Sequence, residues 1–361
     1  MTDMDREGTS LRARAAALSP TAATMRVSRI HGAGDLRLHE EPVPVPAPGQ
    51  ALVRVTAVGL CGSDVHWWAE GSIGRTGIAV PFVLGHECAG VIASGARAGE
   101  RVAIDPAIPC GRCEYCQQGE VNVCPAVRFA GHPPHDGALR EYLAWPEHCL
   151  IPVPGGLSDL EVALLEPLGV ALYSVDLAAL RPGMTVAVLG AGAIGLSVIQ
   201  VARAAGAARM YATDLPRLPH RLAAAGSFGA IAVEAQGGRE AAAIVADTGG
   251  RGVDVAFEAA GDDAAVEAAV SVVKPGGQVI LIGIPSADRI SFTASTARRK
   301  DLQIRVVRRM KHTYPRALRL VESGRVDVRA LVTHEFPLAE TARALSVAAE
   351  RAGVKVVVHC G

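Results

Sequence analysis

Cysteine is the residue type to start from. Four of the eight cysteines fall in one short string, CGRCEYCQQGEVNVC, as Cys110, Cys113, Cys116 and Cys124. Gaps this tight suit a single tetrahedral ion, with four thiolates around one zinc. Gly111 and Gly119 relieve the turns that such a knuckle makes. An iron–sulfur cluster takes the same ligands and stays open at this point, and disulfides are the poorer fit. Four protein ligands close the coordination sphere, so this centre is expected to be structural, with no position left for chemistry.

A second set of metal-binding residue types is scattered. Cys61-Gly62-Ser63-Asp64-Val65-His66 leaves an apolar strand, Gly85-His86-Glu87-Cys88 precedes another, and Glu166-Pro167 opens a helical run. Thiolate, imidazole and carboxylate are all zinc ligands. Their separation along the chain leaves two readings: a catalytic metal centre, or a buried thiol and a satisfied buried histidine. A third feature is Gly190-x-Gly192-x-x-Gly195, between the apolar run VAVL and a helical stretch that Ala193 and Ile194 open. Here Gly190 permits a tight turn, Gly192 lets backbone approach a pyrophosphate, and Gly195 lets helix pack on sheet. The pyrophosphate would lie at the helix N-terminus. Asp214 ends the next predicted strand, where a carboxylate binds ribose hydroxyls and repels a 2′-phosphate, which favours NAD over NADP. Arg217 and Arg221 lie close by and weaken that preference.

The elements that must position these residues change texture near Glu166. Before it come short, Gly- and Pro-punctuated pieces with β alternation: MRVSRIHGAGDLRLHE, ALVRVTAVG, CAGVIAS, ERVAID and LREYLAW. They predict an all-β region, a distorted barrel carrying the four-cysteine lobe. After it, apolar strands alternate with helices, as in VAVLGAGAIGLSVIQVARAAGA, ARMYATD, VDVAFEAA and GQVILIGI. That alternation predicts a parallel α/β sheet. PRALRLVESG reads as a helix and VKVVVH as a closing strand, and residues 1–24 read as a disordered extension.

Composition excludes several classes. The 361 residues carry 36 Lys+Arg against 36 Asp+Glu, so there is no basic surplus to neutralise nucleic-acid phosphates. Half of the residues are hydrophobic, ample for two cores and far from a disordered composition. No apolar run is long enough to span a bilayer, and the opening MTDMDREGTS is too acidic and polar for a signal peptide. Reducing cytoplasm suits thiolate ligands.

Taken together, GLCGSDVHWW, VLGHECAGVI, the four-cysteine string, LLEPLGVAL, VLGAGAIG and LVTHEFPLAETARAL resemble the zinc-containing medium-chain alcohol dehydrogenases, and within them the sorbitol (polyol) dehydrogenase branch. The resemblance runs from about Met25 to Gly361. It implies a GroES-like catalytic domain over 25–168, a Rossmann domain with a doubly wound parallel sheet over 169–310, and a return segment, 311–361, completing the first. It implies that Cys61, His86 and Glu87 ligate a catalytic zinc, with Glu166 within reach of the metal, and that Asp64 orients a ligand histidine. Zinc would act as a Lewis acid on a substrate hydroxyl, and the carbon would give its hydride to NAD. Ser63 and His66 match the family's proton relay. A homotetramer is implied, with a dimer as the alternative; GQVILIGI and its neighbours would extend the sheet across a two-fold axis.

On the substrate side, Trp67, Phe129, His132 and Arg309 match positions that line the polyol pocket. Trp67 stands where the family usually has tyrosine, His132 where it has threonine, and Met310 where it has a second tyrosine. These replacements change the hydrogen-bond set, so a sugar acid, a vicinal diol or an aminocyclitol-type alcohol competes with sorbitol itself. An amino-alcohol dehydrogenase of the threonine dehydrogenase type shares the metal pattern. A non-catalytic scaffold would not need ligands, relay and nucleotide turn together.

Overall fold

Period-two alternation produces the expected strands in the first half of the chain. In the computed structural model, which describes residues 24–361, Thr24–Gly32 pairs antiparallel with Asp35–Pro42. Thr24 already belongs to that first strand, one residue earlier than expected; the rest of the predicted N-terminal extension lies outside the described residues. The next strand, Gln50–Gly59, is the spine of a seven-stranded sheet. It pairs antiparallel with Glu87–Ile92, Tyr142–Pro146 and Lys355–His359 at different points along its length. Its burial alternates at first and becomes continuous toward Gly59, where the sheet curls over its own core. The last two strands, Val332–Pro337 and Lys355–His359, return from the C-terminus to complete this sheet.

The second half forms a six-stranded parallel sheet. Its spatial order is Ile231–Glu234, Arg209–Asp214, Thr185–Leu189, Val253–Glu258, Val273–Leu281, Gln303–Val306. Thr185–Leu189 and Val253–Glu258 lie at the centre, and every residue of the latter is buried. Helices therefore cover both faces, which is why these strands read as continuous apolar runs. The strand containing GQVIL is internal, so it is its neighbour Gln303–Val306 that forms the outer edge, with Val306 73% exposed.

Helix Leu165–Leu177 joins the two sheets. Leu165, Leu168, Leu172 and Val175 recur at helical spacing and share one core cluster with Ala57, Ala89 and Ala103 of the first sheet and Val186 and Val188 of the second. This packing places Glu166, in the helix's first turn, between the two sheets. Among the described residues no helix is long and apolar enough to cross a membrane.

Candidate active site and metal centres

Strand Gln50–Gly59 ends just before helix Gly62–Glu70, and Cys61 is that helix's N-cap. The fully buried Asp64 carboxylate accepts the Cys61 N–H at 2.9 Å and the Gly85 N–H at 3.1 Å. One side chain thus ties the Cys61 turn to the turn that carries His86. Asp64 Oδ1 also lies 3.8 Å from His86 Nδ1. Glu87 opens strand Glu87–Ile92 directly across from Gly59. A Cβ at position 59 would lie 2.2 Å from Glu87 Oε2, so only glycine there leaves room for the carboxylate.

Cys61, His86 and Glu87 each present a ligand atom, all within 4.8 Å of one another. Three protein ligands, a thiolate, an imidazole and a carboxylate, are the donor set of a catalytic zinc, whose fourth position takes water or substrate. Burial leaves His86 Nδ1 without a hydrogen-bond partner. Burial opposes a charge on His86, yet Asp64, Cys61 and Glu166 outweigh it and push its pKa up to about 10. The donor types and their convergence fit a zinc ion. Glu166 does not join the three-residue cluster. It sits close enough to feel His86 and Glu87, and burial raises its pKa to about 7, an effect that His86 partly offsets.

Lys355 faces the same cluster and was not anticipated. Its ammonium donates to Glu87 Oε1 at 2.7 Å and to the Leu60 carbonyl at 2.9 Å, and lies 2.6 Å from Glu87 Oε2. A lysine in the otherwise apolar run VKVVV was the available signal, since a buried ammonium needs a partner.

Ser63 and His66 follow on the same helix. His66 Nδ1 is 2.8 Å from Glu70 Oε1, which also accepts the Ser286 hydroxyl at 2.9 Å. Glu70 thus links His66 to Ser286. The His/Glu spacing of four on a helix was legible as a pair; Ser286, far along the chain, was not.

The four predicted pocket residues lie near the cluster in two contacting pairs. The Phe129 ring is 5.2 Å from the His86 ring, and the Arg309 guanidinium sits 4.2 Å over Phe129. Trp67 meets His132 edge-on at 5.9 Å and Phe82 at 5.2 Å, and is only 1% exposed. Its indole backs His132 rather than presenting a free face to the cleft.

In the four-cysteine lobe, Cys110 and Cys116 have sulfurs 4.0 Å apart, and Cys113 and Cys124 have theirs 3.9 Å apart. A disulfide needs about 2.05 Å. Tetrahedral zinc with bonds of about 2.3 Å separates its sulfurs by about 3.8 Å, which these thiols match. Gly111 and Gly119 adopt φ of +71° and +80° in the intervening turns.

At the nucleotide turn, Gly190 has φ +102°, and a Cβ there would lie 2.9 Å from the Ala260 nitrogen. Gly192 caps helix Ala193–Ala204, which Ala193 and Ile194 open. A Cβ on Gly195 would lie 1.9 Å from the Gly190 carbonyl oxygen, so glycine sets the helix against the turn. Asp214 ends strand Arg209–Asp214, and its carboxylate accepts the Ala191 N–H at 3.0 Å and the Leu215 N–H at 2.8 Å. Arg221 lies 3.9 Å from Asp214 and donates to the Gly353 carbonyl at 2.9 Å, while Arg217 is exposed.

Comparison with known proteins agrees with this geometry. Residues 47–155 match the alcohol dehydrogenase GroES-like domain and residues 193–323 the zinc-binding dehydrogenase family. Sorbitol dehydrogenase of Bacillus subtilis (strain 168) is 37% identical over 330 residues, covering 89% of this chain and 92% of the relative. The crystal structure of L-idonate 5-dehydrogenase from Escherichia coli superposes with a TM-score of 0.85 at 27% identity, covering 93% of this chain and 98% of that one. A zinc-binding dehydrogenase from Sinorhizobium meliloti 1021, bound to NADP, gives 0.83 at 30% identity over 94% of this chain and 100% of its own. Zinc and a nicotinamide cofactor are the working parts of this fold. The chain belongs to the zinc-containing medium-chain alcohol dehydrogenase family, in its polyol dehydrogenase branch.

Proposed function

We propose that the chain oxidises a secondary hydroxyl of a polyol or sugar-like alcohol to a ketone, with NAD as hydride acceptor. The observation that carries this is the convergence of Cys61, His86 and Glu87, whose ligand atoms lie within 4.8 Å of one another. Zinc held there supplies Lewis acidity to the substrate hydroxyl, and the nicotinamide supplies the redox chemistry. Glu166 borders the site as a carboxyl able to hold or release a proton near neutrality. The Ser63 hydroxyl accepts the proton leaving the substrate as it gives up its own toward His66, and His66 releases a proton to solvent. The bond from His66 Nδ1–H to Glu70 leaves Nε2 as the nitrogen that exchanges the proton. Cys110, Cys113, Cys116 and Cys124 hold a second, structural zinc.

The choice of NAD rests on Asp214. Its carboxylate stands beside the turn Gly190–Gly195, and Arg221 is engaged with Gly353 rather than free to meet a 2′-phosphate. Relatives named for sorbitol and idonate favour a polyol-like substrate over an amino alcohol. The proposal extends to a cytoplasmic enzyme whose eight thiols stay reduced. It extends also to a homotetramer, or a dimer, joined through the outer strand Gln303–Val306.

The test is absorbance at 340 nm on zinc-replete protein, with NAD and NADP offered separately. The panel holds polyols, vicinal diols, sugar acids and amino alcohols, and zinc is counted by elemental analysis. Turnover of a polyol or sugar acid with NAD and two zincs per chain is expected. Full activity in metal-free protein, or a clear preference for amino alcohols, overturns the proposal. Asp214→Ala is expected to narrow the gap between NAD and NADP by tenfold or more, and an unchanged ratio removes Asp214 from cofactor choice.

A further inference from the structure

Beside Phe129 lies a recess of about 460 Å³ between the four-cysteine lobe and the second sheet. Its polar lining is Asn122, His132, His135, Arg308 and Arg309; no carboxylate among the described residues lines it, and Cys124 of the four-cysteine cluster borders it. Neither arginine makes a salt bridge with a described carboxylate; Arg308 is exposed and Arg309 is half-buried. Arg309 Nη1 is buried without a hydrogen-bond partner. Burial and the neighbouring Arg308 both work against its charge.

The backbone that presents this pair is held in place from the opposite side. Asn122 Nδ2 donates to the Arg308 carbonyl at 2.9 Å and to the Tyr173 hydroxyl at 3.2 Å. Lys311 pairs with Glu120, and His312 Nε2 is 3.2 Å from the Gly119 carbonyl. Arg309 and His312 take φ of +54° and +52°, a region that side chains rarely adopt. Such conformations persist where surrounding contacts over-determine them, commonly at ligand sites.

A neutral hydroxyl accepts at most two hydrogen bonds and adds no charge to answer Arg309, which Glu166 and Asp105 influence only without a salt bridge. A carboxylate or phosphate accepts several and cancels charge, and the planar guanidinium fork suits it. One aromatic ring, Phe129, separates this pair from His86. A group bound here therefore sits at the far end of a short chain whose other end reaches the metal cluster. Resting on the proposed alcohol oxidation at Cys61, His86 and Glu87, we infer that Arg308 and Arg309 form an anion subsite. The substrate is then a polyol whose distal end carries a carboxylate or a phosphate.

The experiment uses the zinc-loaded chain with NADH bound. Neutral polyols, their matched aldonates and their terminal phosphates are compared by calorimetric titration, and by kcat/KM with NAD. Inorganic phosphate alone serves as a non-oxidisable probe. At least one anionic member is expected to bind tenfold or more tighter than its neutral parent. That preference should shrink with added salt and fall about tenfold in Arg308→Gln and in Arg309→Gln, each with an unchanged unfolding temperature. The aldonate and phosphate arms tell carboxylate from phosphate. Equal affinity for neutral and anionic members, or a preference that survives both substitutions, overturns the subsite. Oxidation of neutral polyols without anion preference sinks the subsite alone. Anion binding with no alcohol oxidised in any arm sinks the oxidation proposal and leaves the subsite standing.

Discussion

Replacing Lys355 with methionine separates what the metal does for Glu87 from what the protein does. The ammonium and the Glu87 carboxylate have side chains 4% and 1% exposed, so solvent does little to screen them. Removing one partner of such a pair strands a buried charge, at a cost of about 3–5 kcal/mol. Unfolding entropy of about 2.1 cal/mol/K per residue gives about 0.76 kcal/mol/K for a chain of 361 residues. A loss of about 4 kcal/mol then lowers the apo-protein's midpoint by about 5 °C. In the zinc-loaded protein the ion offsets the same carboxylate, so the loss should be about half as large. By linkage, the difference of about 2 kcal/mol must appear as zinc bound roughly 30-fold more tightly by the variant. Scanning calorimetry of apo and zinc-loaded forms, with a competing chelator to measure affinity, reads both quantities. Adding Glu87→Gln to Lys355→Met should recover much of the apo loss. Equal losses with and without zinc, and unchanged affinity, would refute the idea that lysine and metal share one carboxylate.

The remaining predictions concern the relay, the lobe and pH. Ser63→Ala should slow alcohol oxidation about a hundred- to ten-thousandfold, the range of a lost proton-transfer group, while NAD affinity by fluorescence quenching stays essentially unchanged. Equal rates for variant and parent remove the relay. Cys113→Ser should reduce zinc from two to one per chain by elemental analysis; two retained zincs would mean that the lobe does not hold one. Burial raises the Asp105 carboxyl from 3.8 to about 6, so the folded protein holds this proton more tightly than the unfolded chain does. The stabilisation it gives is complete below pH about 4 and is lost as pH rises through about 6. Asp105→Asn, which can still accept the Ala107 N–H, should therefore be more stable than the parent at pH 7 by about 3 kcal/mol and close to it below pH 4. Parallel stability curves from pH 4 to 7 would show that Asp105 does not titrate in this way.

The two metal clusters differ in how far they could be read in advance. Cys110 to Cys124 are local, so spacing alone brings the sulfurs within bonding distance of one ion. Cys61 and His86 lie on separate turns, and what unites them is Asp64, which bonds to the N–H groups of both Cys61 and Gly85. No periodicity announces such a bridge, and the pairing was visible only through resemblance to a family. The parallel sheet was legible because strands buried on both faces are apolar throughout. Its outer edge was not, because strand order depends on crossovers, and Gln303–Val306 lies outside the strand GQVIL. Trp67 was placed correctly in the chain, but an aromatic residue at the cleft can be wall or surface, and burial by Phe82 and His132 makes it wall.

Lys355 marks the limit of local reading, and also explains why the chain returns to its first domain. The lysine meets Glu87 across a separation of 268 residues. It opens the last strand, Lys355–His359, which lies beside Gln50–Gly59. Gly59 leaves the space that the Glu87 carboxylate fills, and the last strand delivers the cation that this carboxylate needs. Without that strand the cluster would concentrate Cys61, Glu87, Asp64 and Glu166 with only His86 to answer their charge. Closure of the sheet by the C-terminal strand and assembly of a negative, metal-ready site are therefore one event. A chain truncated before Lys355 should lose both together: strand Gln50–Gly59, which leads into Cys61, loses this partner, so zinc is no longer retained even though removing the ammonium alone tightens it.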